Sequence, residues 1–172
     1  MENYLQRYIE RIEQKKPGMS KSVLSTVEAI VPSHLENFSY QEHLTGLLMG
    51  EVQSGKTSQI FGIMTASVNL GFKLFILLTT DNVYLQQQTY KRAVADLGMD
   101  FNICDETEAD KFIQNGLHKK PLLVVLKKNR NVLNTWRNNL ALSNYHQYSP
   151  LFIFDDEADA ASLNTKINQK EQ

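Results

Sequence analysis

Leu47-Leu48-Met49-Gly50-Glu51-Val52-Gln53-Ser54-Gly55-Lys56-Thr57 joins a short apolar run to the pattern G-x-x-x-x-G-K-[ST], and a helix-patterned segment follows it. Glycines in such a loop let successive backbone N–H groups converge on phosphate oxygens, and the helix that follows adds its positive end. Gly50, Gln53, Ser54, Gly55, Lys56 and Thr57 are therefore the expected binders of a nucleoside triphosphate. Lys56 would reach the outer phosphates, and the Thr57 hydroxyl would ligate Mg²⁺. The plain alternative is a glycine-rich turn carrying a surface lysine, and the flanking strand and helix patterns argue against it.

A second stretch, Leu151-Phe152-Ile153-Phe154-Asp155-Asp156-Glu157-Ala158-Asp159, runs from apolar residues into acids. An unbroken apolar run of this length reads as a strand buried on both faces. Its carboxylates then emerge at the C-terminal end, where open parallel sheets hold their ligands. This is a Walker B pattern: one carboxylate holds Mg²⁺ and a second orients and deprotonates the attacking water. Asp156 takes the metal role and Glu157 the catalytic role, with a frame shifted to Asp155 and Asp156 left open.

Between and around these motifs, apolar runs at 47–49, 74–78, 101–104, 122–126 and 151–154 alternate with helix-length segments. Helices are expected from Lys56 to about Leu70, closed by a left-handed Gly71, and over about 82–97, 106–117 and 130–143. The first should bury Ile60, Phe61 and Met64; the last should turn Val132, Leu133, Trp136 and Leu140 inward, with Trp136 in the core. The implied fold is α/β: a doubly wound parallel sheet of about five strands with a P-loop.

Residues 1–40 read as a helical preface. Tyr4, Leu5, Tyr8, Ile9 and Ile12 form one helical stripe, broken at Pro17-Gly18. Ser20 then caps a second helix through Val23, Leu24, Val27, Ile30 and Val31, which Pro32 stops. The pair is expected to pack on the edge of the sheet; docking a partner or covering the nucleotide is the functional alternative.

The chain has 172 residues, with 18 Lys and Arg against 19 Asp and Glu for a formal charge of −1, so any nucleic-acid contact must come from a local patch. One cysteine, Cys104, excludes an internal disulfide framework and a cysteine-rich zinc site. No signal-peptide pattern or long apolar span appears, which points to a cytoplasmic chain with no membrane partner.

Asp156-Glu157-Ala158-Asp159 spells D-E-A-D, and with the phosphate loop the chain resembles the first RecA-like lobe of a superfamily-two helicase or translocase. GEVQSGKT, LQQQTYKR at 85–92, KKN at 127–129 and DDEADAASLNT at 155–165 look like the restriction-associated endonuclease Z-one family of DEAD-like ATPases. The resemblance covers about 45–165 and implies a RecA-like lobe over 41–172, with ATP and Mg²⁺ as cofactors and nucleic acid, most naturally DNA, as partner. It implies that Thr80, Gln88, Lys127, Lys128 and Asn129 touch a nucleic-acid backbone, and that Gln41, after Phe38 and Tyr40, could read adenine. Asp81 stands where the family has a proline, a departure from true DEAD-box proteins.

The resemblance further implies a strand after the acidic motif, inserted between the phosphate-loop strand and the acidic strand, and no such apolar run follows Phe154. The lobe is therefore expected to be incomplete, truncated after Walker B, to need a second RecA-like lobe with its arginine finger, and to be inactive alone. Residues 164–172 read as unstructured, and an exposed sheet edge would invite self-association. Three functions stay open: a nucleic-acid motor lobe, a P-loop regulatory ATPase acting on protein partners, and a nonfunctional fragment or nucleotide-binding module whose catalysis needs another chain.

Overall fold

A computed structural model of the chain describes residues 3–39, 41–49, 55–114, 120–143 and 150–156. Two helices open it, α1 at Tyr4–Lys15 and α2 at Met19–Ile30. Then follow α3 (Lys56–Asn69), β1 (Leu74–Thr79), α4 (Val83–Leu97), β2 (Asn102–Asp105), α5 (Ala109–Gln114), β3 (Leu122–Lys127), α6 (Arg130–Leu142) and β4 (Leu151–Asp155). The strands pair in parallel in the order β2-β3-β1-β4.

This order explains where the helices lie. The chain steps one way from β1 to β2 and the other way from β2 to β3 to β4, so right-handed crossovers place α4 on one face and α5 and α6 on the other. Alternate residues follow suit. Phe75, Leu77, Ile103, Leu123 and Val125 join α3, α4 and the N-terminal helices, while Leu74, Ile76, Cys104, Leu122, Val124 and Leu126 meet Phe112 and Trp136. A doubly wound α/β fold is the result.

Local chemistry sets the helix starts. Asn82 accepts the N–H groups of Tyr84 at 2.8 Å and Leu85 at 3.3 Å, and Asn129 accepts that of Asn131 at 3.0 Å. Gly71, with φ +98°, closes the segment after α3 as expected. Trp136 is 1 % exposed, lies edge-on to Phe112 at 5.3 Å, and donates its indole N–H to the Glu106 carbonyl at 3.1 Å. It is core.

Several expectations are corrected. The sheet has four described strands rather than about five, because Leu47–Met49 forms none: Leu47 is 78 % and Met49 81 % exposed, and three apolar residues without a neighbouring strand gain too few ladder bonds. The acidic strand β4 is not buried on both faces. Among the described residues it pairs with β1 on one side only; Phe152 and Phe154 pack on the core, but Leu151 and Ile153 are exposed. Leu133 is likewise exposed, at the margin of the inward face of α6. Helix α5 is shorter than 106–117, since Glu106–Glu108 form a turn; residues 115–119 lie outside the described set.

The N-terminal helices also differ in detail. Ser20 does not cap α2: Gly18 precedes it at φ +87°, and the Glu13 carboxylate reaches forward to accept the N–H groups of Gly18 at 2.9 Å and Ser20 at 3.3 Å. Pro32 does not end the helical path, which continues as one π turn over Val31–Leu35; a proline early in that turn forfeits no needed donor. Nor does the pair sit on the sheet's edge. It packs over α3, with α1 also touching α4, as a further layer outside the α3–α4 face.

That layer depends on Gly62. A Cβ there would lie 2.3 Å from Val23 Cγ1 and 3.3 Å from Val27 Cγ2, and Val23 is a fully buried, β-branched side chain with no room to turn. Helix propensity alone would make Gly62→Ala stabilising by up to about 1 kcal/mol. Overpacking costs about 1–3 kcal/mol, and we expect it to win: Gly62→Ala lowers the urea midpoint, and adding Val23→Ala restores part of the loss. A stabilised single variant would refute the close approach.

Candidate functional site

The C-terminal ends of β1, β3 and β4 share one rim, and the charge of Lys56, at the start of α3, is felt there by Asp156. Gly55 enters α3 with φ +79°, a left-handed conformation that glycine adopts freely, and a Cβ there would meet Met19 Cε at 2.8 Å. Lys56 and Thr57 open the helix, both partly exposed. At the other end of the fold's sequence, the Asp156 N–H donates to the Leu78 carbonyl at 2.9 Å, extending the β1–β4 ladder by one residue and fixing where its carboxyl emerges.

Asp156 is half-buried, and desolvation raises its pKa above the ordinary aspartate value. The strongest opposing influence is the charge of Lys56, followed by that of Arg92. Two motifs about a hundred residues apart are thus within electrostatic reach of each other. Asp155 does something different: its carboxylate pairs with Lys128 Nζ at 2.8 Å.

A shallow pocket beside Asp156 is lined by Thr79, Thr80, Leu85, Gln88 and Thr89. Thr79 is buried and its hydroxyl lies 3.3 Å from the Leu126 carbonyl and 3.2 Å from that of Thr80, tying β1 to β3. Gln86 anchors α4 by donating to the Val125 carbonyl at 3.2 Å, which leaves Gln88 exposed at the pocket. Thr80 and Gln88, expected at a nucleic-acid backbone, therefore share a pocket with the carboxylate expected to hold the metal.

The remaining residues of that group have partners. Lys127 Nζ lies 3.0 Å from Glu106 Oε1, Lys128 is held by Asp155, and Asn129 caps α6 while donating to Asp81 Oδ2 at 3.2 Å. Gly50, Gln53, Ser54 and Glu157 lie outside the described residues, as does Tyr40. Gln41 is exposed, whereas Phe38 packs on Phe72 with ring centroids 5.9 Å apart.

Among the described residues no three His, Cys, Asp or Glu side chains converge as a metal site. Asp156 and Thr57 carry one carboxylate and one hydroxyl, hard oxygen donors of the kind Mg²⁺ takes. Cys104 is buried, and desolvation holds its pKa at about 12, so it is a protonated thiol rather than a nucleophile.

Sequence reading missed three contributors. Ser58 is fully buried; its hydroxyl accepts a hydrogen bond from Arg92 Nη2 at 2.6 Å, and its carbonyl accepts one from the Tyr8 hydroxyl at 3.0 Å. Arg92 sits within the 85–92 segment singled out by resemblance, and Ser58 directly follows the Lys-Thr pair. Tyr8 carried no signal beyond its place in a helical stripe.

The raised pKa of Asp156 gives a stability test. Burial favours its neutral form in the native state, so the native protein binds this proton more tightly than the unfolded chain, and ionisation at neutral pH costs stability. Asp156→Asn should therefore unfold at higher urea than the parent at pH 7. The advantage should shrink as pH falls through the native pKa and vanish below the unfolded one. Equal midpoints across that range would show that Asp156 is not desolvated.

No helix among the described residues is long and apolar enough to cross a membrane. Comparisons with protein-family models, curated proteins and solved structures return no match for this chain.

Proposed function

We propose that the chain is the ATP-binding lobe of a DEAD-like, ATP-dependent nucleic-acid helicase or translocase, working in the cytoplasm and serving a restriction or defence system. The observation that carries this reading is that a left-handed Gly55 opens α3 at Lys56-Thr57 while Asp156 is fixed at the C-terminal end of β4 by its N–H bond to Leu78, with the Lys56 charge opposing its desolvation. A P-loop ATPase needs this meeting of a phosphate-binding helix with a metal-binding acid.

In this reading Lys56 binds the outer phosphates, while Thr57 and Asp156 hold Mg²⁺. When bound, the ion supplies charge neutralisation on the phosphoryl oxygens. Glu157 orients the attacking water and accepts its proton. The engagement of Asp155 with Lys128 supports Asp156 over Asp155 as the metal ligand. A second RecA-like lobe supplies the cationic group that faces the outer phosphate, and the side of β4 left without a partner among the described residues offers a route to self-association.

One observation favours a second reading, a regulatory ATPase acting on protein partners. Lys127 and Lys128 are occupied by Glu106 and Asp155, so a nucleic-acid backbone must compete with carboxylates for the very cations that would hold it. Binding to single-stranded and duplex DNA that weakens steeply with salt supports the motor reading. No binding at low salt supports the regulatory one.

Nucleotide titration tests the site itself. Mg²⁺-ATP should bind the wild type, and Lys56→Ala should lose at least about tenfold in affinity, the scale of one charge-assisted contact. Equal affinity in both would remove the assignment. In a preparation that turns over, Glu157→Gln should retain binding and abolish hydrolysis; normal hydrolysis there with failure in Asp156→Asn would move the catalytic frame by one residue.

A further inference from the structure

We propose that Arg92 and Tyr8 are positioning residues of the phosphate site, acting through Ser58, and that helix α1 is thereby an integral part of that site. The inference rests on the nucleotide reading above and extends it to residues outside both motifs.

Two elements converge on Ser58, the residue of α3 next to Thr57. From α4, Arg92 Nη2 donates to Ser58 Oγ at 2.6 Å; from α1, Tyr8 donates its hydroxyl to the Ser58 carbonyl at 3.0 Å. Ser58 and Tyr8 are both fully buried. Burial also keeps the Tyr8 hydroxyl protonated, with a pKa well above the ordinary tyrosine value, so the donor is permanent at physiological pH. Side chain and main chain of one first-turn residue are thus held from two directions.

The holders are themselves held. Arg92 Nε lies 3.7 Å from Asp96 Oδ2, and Lys15 Nζ of α1 lies 2.6 Å from Asp96 Oδ1. Arg11 donates to the Asp96 carbonyl at 3.2 Å and pairs with Asp100, which Arg7 meets at 2.8 Å. A basic stripe on α1 therefore locks the end of α4, and α4 presents Arg92 to α3.

The first turn of α3 carries the N–H groups that a phosphate would use, and their aim depends on that turn's angle. An arginine with two anchored ends, a carboxylate behind and a hydroxyl in front, restricts the angle more than packing alone. Arg92 thus bears on the first turn of α3 without being in either motif.

The test uses the full chain and four variants: Tyr8→Phe, Ser58→Ala, Arg92→Ala and Arg92→Lys. Mg²⁺-ADP affinity is measured by calorimetry well below each unfolding midpoint, and amide exchange of Thr57–Ile60 is followed without nucleotide. We expect Arg92→Ala to weaken binding about tenfold and Tyr8→Phe and Ser58→Ala severalfold, the scale of one lost hydrogen bond. Exchange at the first turn of α3 should accelerate, and Arg92→Lys should recover part of the affinity. Variants that bind like a wild type whose binding requires Lys56 overturn this proposal alone. Affinity losses that merely follow lost stability, with no recovery in Arg92→Lys, overturn it too. A wild type that does not bind, or binds independently of Lys56, removes the nucleotide reading and this proposal with it.

Discussion

The burial of α3 on nearly all sides governs the architecture. Ser58 and every residue from Ile60 to Ser67 are buried. A helix with no solvent face cannot be satisfied by a sheet alone; something must close its far side. Here α1 and α2 do so, with Val23 and Val27 set against Gly62. The N-terminal helices are therefore a condition for the central helix rather than an ornament on it. The same closure brings Tyr8 to the first turn.

Electrostatics decides the registry of that closure. Asp96 and Asp100 are each 7 % exposed, and carboxylates so buried are costly unless paired. Arg7, Arg11 and Lys15 recur on one face of α1 at four-residue spacing and meet both acids. Sliding α1 by a turn would strand a buried charge, so the pairs specify one alignment even if their net contribution to stability is small. Apolar contact holds the layers together; the carboxylates say where.

What was legible in the sequence follows from what is local. Each of the four strand-forming runs lies where its apolar pattern and flanking breakers put it, and Gly71 and Trp136 take the expected roles because a left-handed turn and a large buried ring leave clear marks. Asp156 emerges on the rim where parallel topology puts strand ends, whereas no described strand leads into Lys56-Thr57, whose helix is placed by its packing against α1 and α2. The exposed face of β4 has no sequence mark, since an apolar strand reads alike at a centre or an edge; only the strand order tells them apart. The capping of α2 by Glu13, the π turn through Pro32 and the convergence on Ser58 are tertiary or near-tertiary events with no periodic signature.

The position of β1 has a consequence for how the chain assembles. It is the first described strand in the sequence yet stands inside the sheet, with β3 and β4 on its two sides and β2 beyond β3. Leu74 pairs with Leu122 and with Leu151, so neither flank of β1 can close until much later segments arrive. Pairings of such sequence separation carry a large loop-closure entropy and form slowly. A chain emerging from the ribosome would therefore hold β1 beside a helical layer already able to fold, its backbone donors waiting for partners not yet made. Order of synthesis thus favours folding in which helices scaffold the sheet, with the apolar strand Leu74–Thr79 waiting for its partners.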